Sequence, residues 1–137
     1  MPAPPDLTTM LHAAYATADE VEAKLSEIGL SWAKLAALKG LSDAGDSLPL
    51  GQLAERLSCV KSNITQLVDR LEADGLVARQ PDPNDRRAKL AALTPAGRKA
   101  VKEGVRVRQA GEREVLGRLT QEEAQQLNTL LSKMGNP

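Results

Sequence analysis

The residues best placed to do chemistry lie in one short stretch: Lys61, Ser62, Asn63, Thr65, Gln66 and Arg70. Ile64, Leu67, Val68 and Leu71 recur through it at i, i+3, i+4 and i+7, the pattern of a helix buried on one face. At 100° per residue, Ser62, Thr65, Gln66, Asp69 and Arg70 then point away from that face, with Lys61 and Asn63 on its flanks. Amides and hydroxyls near a helix N-terminus suit hydrogen bonding to base edges. Asn and Gln can form two bonds to adenine, and Lys or Arg can take guanine or a phosphate. The bland alternative is the solvated face of a small bundle, since every surface helix is polar on its outer side.

A second cluster follows in the run DPNDRR: Asp85, Arg86 and Arg87, with Lys89 just beyond. The turn formers Pro81-Asp82-Pro83-Asn84-Asp85 stand between two short apolar runs, Leu76–Arg79 and Lys89–Leu93, which predicts a two-stranded hairpin with a basic tip. At the far end of such a ribbon no core exists to bury Arg86 or Arg87, so both are available to an anionic partner. The alternative makes Asp85 a turn former and Arg87 a solvated strand residue. Asp82 and Asp85 lack the spacing of a calcium loop.

Elsewhere reactive groups are sparse. One cysteine and one histidine are too few for a typical structural zinc site, and a lone cysteine cannot close an internal disulfide. With no Walker loop, GxGxxG or HExxH, neither catalysis, cofactor nor metal is expected. Cys59 reads first as a small apolar filler and second as a redox-sensing thiol, which would need a partner subunit or a small thiol to resolve a sulfenic acid. His12, Tyr15 and Trp32 could line a small-molecule pocket, because such pockets favour aromatic walls with a few polar groups. Otherwise Tyr15 and Trp32 make ordinary helix contacts and His12 is exposed.

The positioning elements are helices. With 137 residues, 42% apolar and 26% charged, the chain can build one core rather than two. Its 21 leucines and 20 alanines, with no phenylalanine, favour helix over strand. The stripe Leu7, Leu11, Ala14, Ala18, Val21, Leu25 and Ile28 predicts a long first helix from Asp6, broken at Gly29. Ser31 caps a second helix carrying Leu35, Leu38 and Leu41 to about Ala44-Gly45. Leu48-Pro49-Leu50 is too short for more than an extended connector. A short helix over Gly51–Leu57, a break at Ser58-Cys59 and a helix from about Val60 to Ala73 follow. If Ser58 is the cap, that helix begins at Cys59. Gly75 closes it, and Thr94-Pro95 opens a helix to about Val115 that Gly104 and Gly111 weaken. Thr120 and Glu123 stand in capping-box spacing before a last helix with the stripe Ala124, Leu127, Leu131 and Met134.

The net charge is zero, which alone argues weakly against a nucleic-acid partner. Its distribution is uneven: −4 over residues 1–47, +1 over 48–94 and +3 over 95–137. The middle third holds Lys61, Arg70, Arg79, Arg86, Arg87 and Lys89 close together. No apolar run approaches a membrane span, and the start, MPAPPDL, lacks the features of a signal peptide, so a cytoplasmic location is expected.

Two short helices joined by a tight break, the second polar outward and followed by a hairpin, describe a winged helix-turn-helix. The stretch from PLGQLAERL through VDRLEADGLVAR, DPNDRR and LTPAG, roughly residues 48 to 100, resembles the DNA-binding core of the multiple antibiotic resistance regulator (MarR) family. Two positions depart from the family pattern, with Ser58 in place of a common turn glycine and Val60 in place of a frequent capping serine. The resemblance implies a mainly α fold of about six helices plus a two-stranded wing, dimeric through its N- and C-terminal helices. Residues 1–47 would support and dimerise, 48–94 would bind DNA and 95–137 would dimerise. It further implies a regulator of a pseudo-palindromic operator, acting as a repressor. In such a regulator Asp85 would hold the Arg87 guanidinium for the minor groove, and a small aromatic effector would bind between the dimerisation and DNA-binding parts. The alternative is a winged-helix module for protein contacts or small-ligand binding that does not bind DNA.

Overall fold

The computed structural model describes residues 2–57 and 63–135. Local capping sets most helix boundaries. The Asp6 carboxylate accepts from the Thr9 N–H at 2.6 Å and opens α1 (Leu7–Ser26), and Ser31 Oγ accepts from Lys34 N at 3.1 Å and opens α2 (Trp32–Asp43). Then come β1 (Ser47–Pro49), α3 (Leu50–Arg56), α4 (Ile64–Ala73), β2 (Val77–Asp82), β3 (Asp85–Leu93), α5 (Pro95–Leu116) and α6 (Gln121–Gly135). The chain is a mainly helical winged helix-turn-helix with six helices among the described residues. None of these helices is long and apolar enough to cross a membrane.

The sheet has three strands in the order β1-β3-β2, not the two expected. The segment read as a connector pairs with β3, Leu48 opposite Ala91 and Pro49 opposite Leu90, which buries Leu48. Pro49 is tolerated because β1 is an edge strand, where a missing N–H costs no ladder bond. The hairpin is also longer than its turn formers suggest. β2 and β3 stay paired out to Asp82–Asp85, across an irregularity at Pro81/Asp82, leaving Pro83-Asn84 as the loop.

The core is mostly leucine, with valine and alanine between. Leu25, Leu35, Leu38, Leu41, Leu53 and Leu71 are fully buried with Val68 and Val77, joining α1–α4 to the base of the hairpin. The glycines of α5 have a packing role that the expected weakening of the helix does not reveal. Gly97, Gly104 and Gly111 are the buried residues of that helix. A Cβ on Gly104 would stand 2.8 Å from a Leu30 methyl and 2.7 Å from a Leu35 methyl, and one on Gly111 would meet Val21 at 3.1 Å. The glycines cost helix propensity but let α5 lie close against α1 and α2.

Candidate nucleic-acid interface

Helix α4 begins at Ile64, later than the expected Val60 or Cys59, because Asn63 is its N-cap. Asn63 Oδ1 accepts from the backbone N–H of Thr65 at 3.0 Å and of Gln66 at 3.3 Å, satisfying two donors that the first turn would leave bare. Asn63 therefore sits outside the helix with its carbonyl oxygen engaged. Leu67, Val68 and Leu71 are buried, while Thr65, Gln66, Asp69 and Arg70 are exposed, as the period requires. Lys61 and Ser62, together with Cys59, lie outside the described residues. At the other end Gly75 adopts φ +76°, and the Leu76 N–H donates to Leu71 O at 2.9 Å, turning the chain into β2.

The wing tip is set by two carboxylates bonded to nearby backbone. Asp82 Oδ1 accepts from Asn84 N at 2.9 Å, and Asp85 Oδ1 accepts from Arg87 N at 2.9 Å. Asp85 thus holds the Arg87 amide rather than its guanidinium. Within 4 Å no ion pair joins the two side chains in the free chain. A carboxylate two residues before an arginine reaches the intervening backbone more readily than the end of a long, solvated side chain. Arg86, Arg87, Lys89 and Arg70 are exposed and form no ion pair among the described residues.

Arg79 behaves differently, and nothing in its sequence position marks this. Its Nη2 lies 2.7 Å from Asp69 Oδ1 and its Nη1 lies 3.0 Å from Glu72 Oε1. Its backbone N–H donates to Glu72 Oε2 at 3.1 Å, and Nη2 reaches Thr65 O at 3.5 Å. The bonded Asp69 carboxylate raises the Arg79 pKa above its ordinary value despite some desolvation. Counted with the free cations from sequence, Arg79 is committed to α4 instead.

The expected effector residues lie along α1 and at the start of α2. Trp32 is part-buried, its Nε1 donating to Ala18 O at 3.0 Å and its backbone N–H to Glu22 Oε2 at 3.0 Å. Tyr15, one turn before Ala18, is 63% exposed, and His12 is exposed. A cleft of about 380 Å³ lies instead between α1 and α5, bordered by the ion pairs Lys24–Glu114 and Glu20–Arg118. It shares no residue with the aromatic set.

Comparison with known proteins places this geometry. The sequence model of the MarR family matches residues 30–89, which take in α2, the helix-turn-helix and most of the wing. The transcriptional repressor Rv2887 of Mycobacterium tuberculosis is 32% identical over 117 residues, covering 85% of this chain and 84% of that protein. The transcriptional activatory protein BadR of Rhodopseudomonas palustris is 38% identical over 89 residues, and the chain spans about half (49%) of its length. Among solved structures, a cysteine-to-serine mutant of MarR from E. coli complexed with operator DNA superposes with a TM-score of 0.80 at 26% identity, covering 94% of this chain and 93% of that one. BpsR of Bordetella bronchiseptica, whose DNA binding is regulated by 6-hydroxynicotinic acid, gives 0.82 at 26% identity, covering 100% and 99%. The chain belongs to the MarR family of transcriptional regulators.

Proposed function

We propose that this protein is a cytoplasmic, dimeric regulator that binds a pseudo-palindromic operator and represses, with no catalytic role. The observation that carries this reading is the pairing of two exposed surfaces: the polar face of α4, with its buried leucines opposite, and the wing with uncommitted Arg86 and Arg87. In this reading Asn63, Thr65, Gln66 and Arg70, with Lys61 and Ser62, meet base edges and phosphates in the major groove. Arg86 and Arg87 enter or flank the minor groove, whose narrow A·T stretches concentrate negative potential. Asp85 shapes the wing by fixing the Arg87 amide. Residues 48–94 form the DNA-binding part, and 1–47 and 95–137 carry the dimer contacts. Repression is favoured over activation because the repressor relative matches over most of this chain and the activator relative over less. An aromatic acid is the effector class we assign, by analogy with BpsR, at the junction of the dimerising helices and the DNA-binding part.

The test is a titration of fluorescent duplex DNA, random and genome-selected, at several salt concentrations. The reading expects log K to fall steeply and linearly with log salt on both, with tighter binding to selected fragments. No binding to either would return the fold to the protein-contact or small-ligand alternative.

A further inference from the structure

Arg79 lies on β2, at the base of the wing, yet its guanidinium and backbone N–H contact three points along α4: Thr65 O, Asp69 and Glu72. Its side chain is only 24% exposed, so the planar fork is held rather than sampling solvent. Asp69 and Glu72 are the only carboxylates on α4, and Asp69 shares the outward face with Gln66 and Arg70. We infer that Arg79 is a positioning residue for DNA binding: it clamps the wing to the recognition helix by gripping that helix's two carboxylates and the Thr65 carbonyl. The inference rests on the DNA-binding reading above.

The lever makes the clamp matter. The loop at Asn84 is five residues beyond Arg79, roughly 17 Å at about 3.3 Å per residue. A swing of about 10° at the clamp would therefore carry the wing tip about 3 Å, the length of a hydrogen bond. The covalent link through Asp74-Gly75-Leu76 cannot by itself prevent this, because it joins the ribbon to the C-terminal end of α4 alone. The contacts to Asp69 and Thr65 reach back to the middle and first turn. Two contact regions held in fixed relation bind one duplex as a chelate, and loosening one from the other removes that advantage without removing any DNA contact.

The experiment compares wild type, Arg79→Met and Arg79→Lys, as full chains. Arg79→Lys keeps the charge and loses the two-pronged contact. Affinity for genome-selected duplex is measured against salt, and amide hydrogen exchange of residues 77–93 is measured without DNA. Both variants are expected to exchange faster through the hairpin, with α5 unchanged, and to bind about ten- to hundredfold more weakly. The salt slope is expected to stay at the wild-type value, because Arg79 touches no phosphate. A slope smaller by about two units for a dimer would make Arg79 a direct phosphate ligand and overturn the proposal. Unchanged hairpin exchange would overturn it as well, as would full rescue of affinity by lysine. If wild type itself bound no duplex, the functional reading would fall, while the exchange data would still decide whether Arg79 holds the wing.

Discussion

At the residue scale, the two halves of the interface call for different chemistry, and substitution separates them. Arg87 is exposed, carries no ion pair among the described residues and has only its backbone fixed by Asp85, which leaves its side chain open to the phosphate or minor-groove contact proposed above. Arg87→Ala is expected to weaken all operator variants by a similar factor and to shrink the salt slope by about one or two units for a dimer. Gln66 stands on the exposed face of the first turn of α4, with its backbone N–H held by the Asn63 cap. Gln66→Ala is expected to leave the slope intact and to flatten discrimination at one base pair per half-site, by roughly 1 to 3 kcal/mol. Anisotropy titrations of both variants at several salt concentrations measure each effect, and a wild-type slope and affinity for Arg87→Ala would remove the wing from the interface. The outward face of α4 was legible because it follows from a period of 3.6 and four apolar positions. The commitment of Arg79 was not, because its carboxylate partners are set by how the hairpin folds back on the helix. Asn63 was legible as a polar residue at the helix start but not as its cap, since an asparagine offers either role until the first helical turn is located.

At the element scale, the junction of wing, recognition helix and α5 is tied by one threonine and one glycine. Thr94 Oγ1 accepts from Gly97 N at 3.0 Å, its hydroxyl donates to Gly75 O at 2.7 Å, and its backbone N–H donates to Leu76 O at 3.1 Å. A Cβ on Gly97 would collide with the backbone carbonyl of Leu76 and come within 3.1 Å of a Leu93 methyl. The Leu76 backbone cannot move aside as a flexible side chain can. Gly97→Ala is therefore expected to destabilise by about 1 to 3 kcal/mol or more, although alanine is the better helix former. Gly51, in α3 with open space around its Cβ, is the control: Gly51→Ala is expected to be neutral or to stabilise by up to about 1 kcal/mol. Thermal unfolding that ranks the two alike would refute the steric account. A second expectation concerns α6, whose capping box is formed: Thr120 N donates to Glu123 Oε1 at 2.9 Å, and Glu123 N to Thr120 Oγ1 at 3.1 Å. The Thr120 N–H, and then its hydroxyl, hold the Glu123 carboxyl below its ordinary 4.5. Because the folded value is the lower one, the cap's contribution is complete above pH 4.5 and is lost as pH falls through the folded value. An NMR titration giving Glu123 a value at or above 4.5 would contradict this. These caps were legible because Ser31, Thr94 and Thr120 act within three or four residues. The pairing of β1 with β3 and the burial of three glycines in α5 were not, since both depend on what approaches from distant chain.

At the scale of the whole molecule, the apolar surface is divided between a packed centre and a bare end. Val21 and Leu25 of α1 are buried, but Leu7 and Leu11 toward its start are 73% and 50% exposed. α6 has no buried residue, although Leu127, Leu130, Leu131 and Met134 lie along it. Helices that expose this much leucine need a partner surface, and a second copy of the chain offers the same unpaired helices under two-fold symmetry. Such a dimer would set its recognition helices about one DNA turn, roughly 34 Å, apart and require half-sites about 10 base pairs centre to centre. The pair Leu127→Glu and Leu131→Glu is expected to give a monomer in micromolar sedimentation with unchanged helical circular dichroism, because neither residue contributes to the leucine core. Operator affinity is then expected to fall by a factor of about 10² to 10⁴, since each half-site must be bound without the effective concentration the second supplies. Wild-type protein that sediments as a monomer, or an operator that tolerates insertion of about five base pairs between its half-sites, would remove the dimer from the mechanism, since half a turn of DNA carries the second half-site to the opposite side of the duplex.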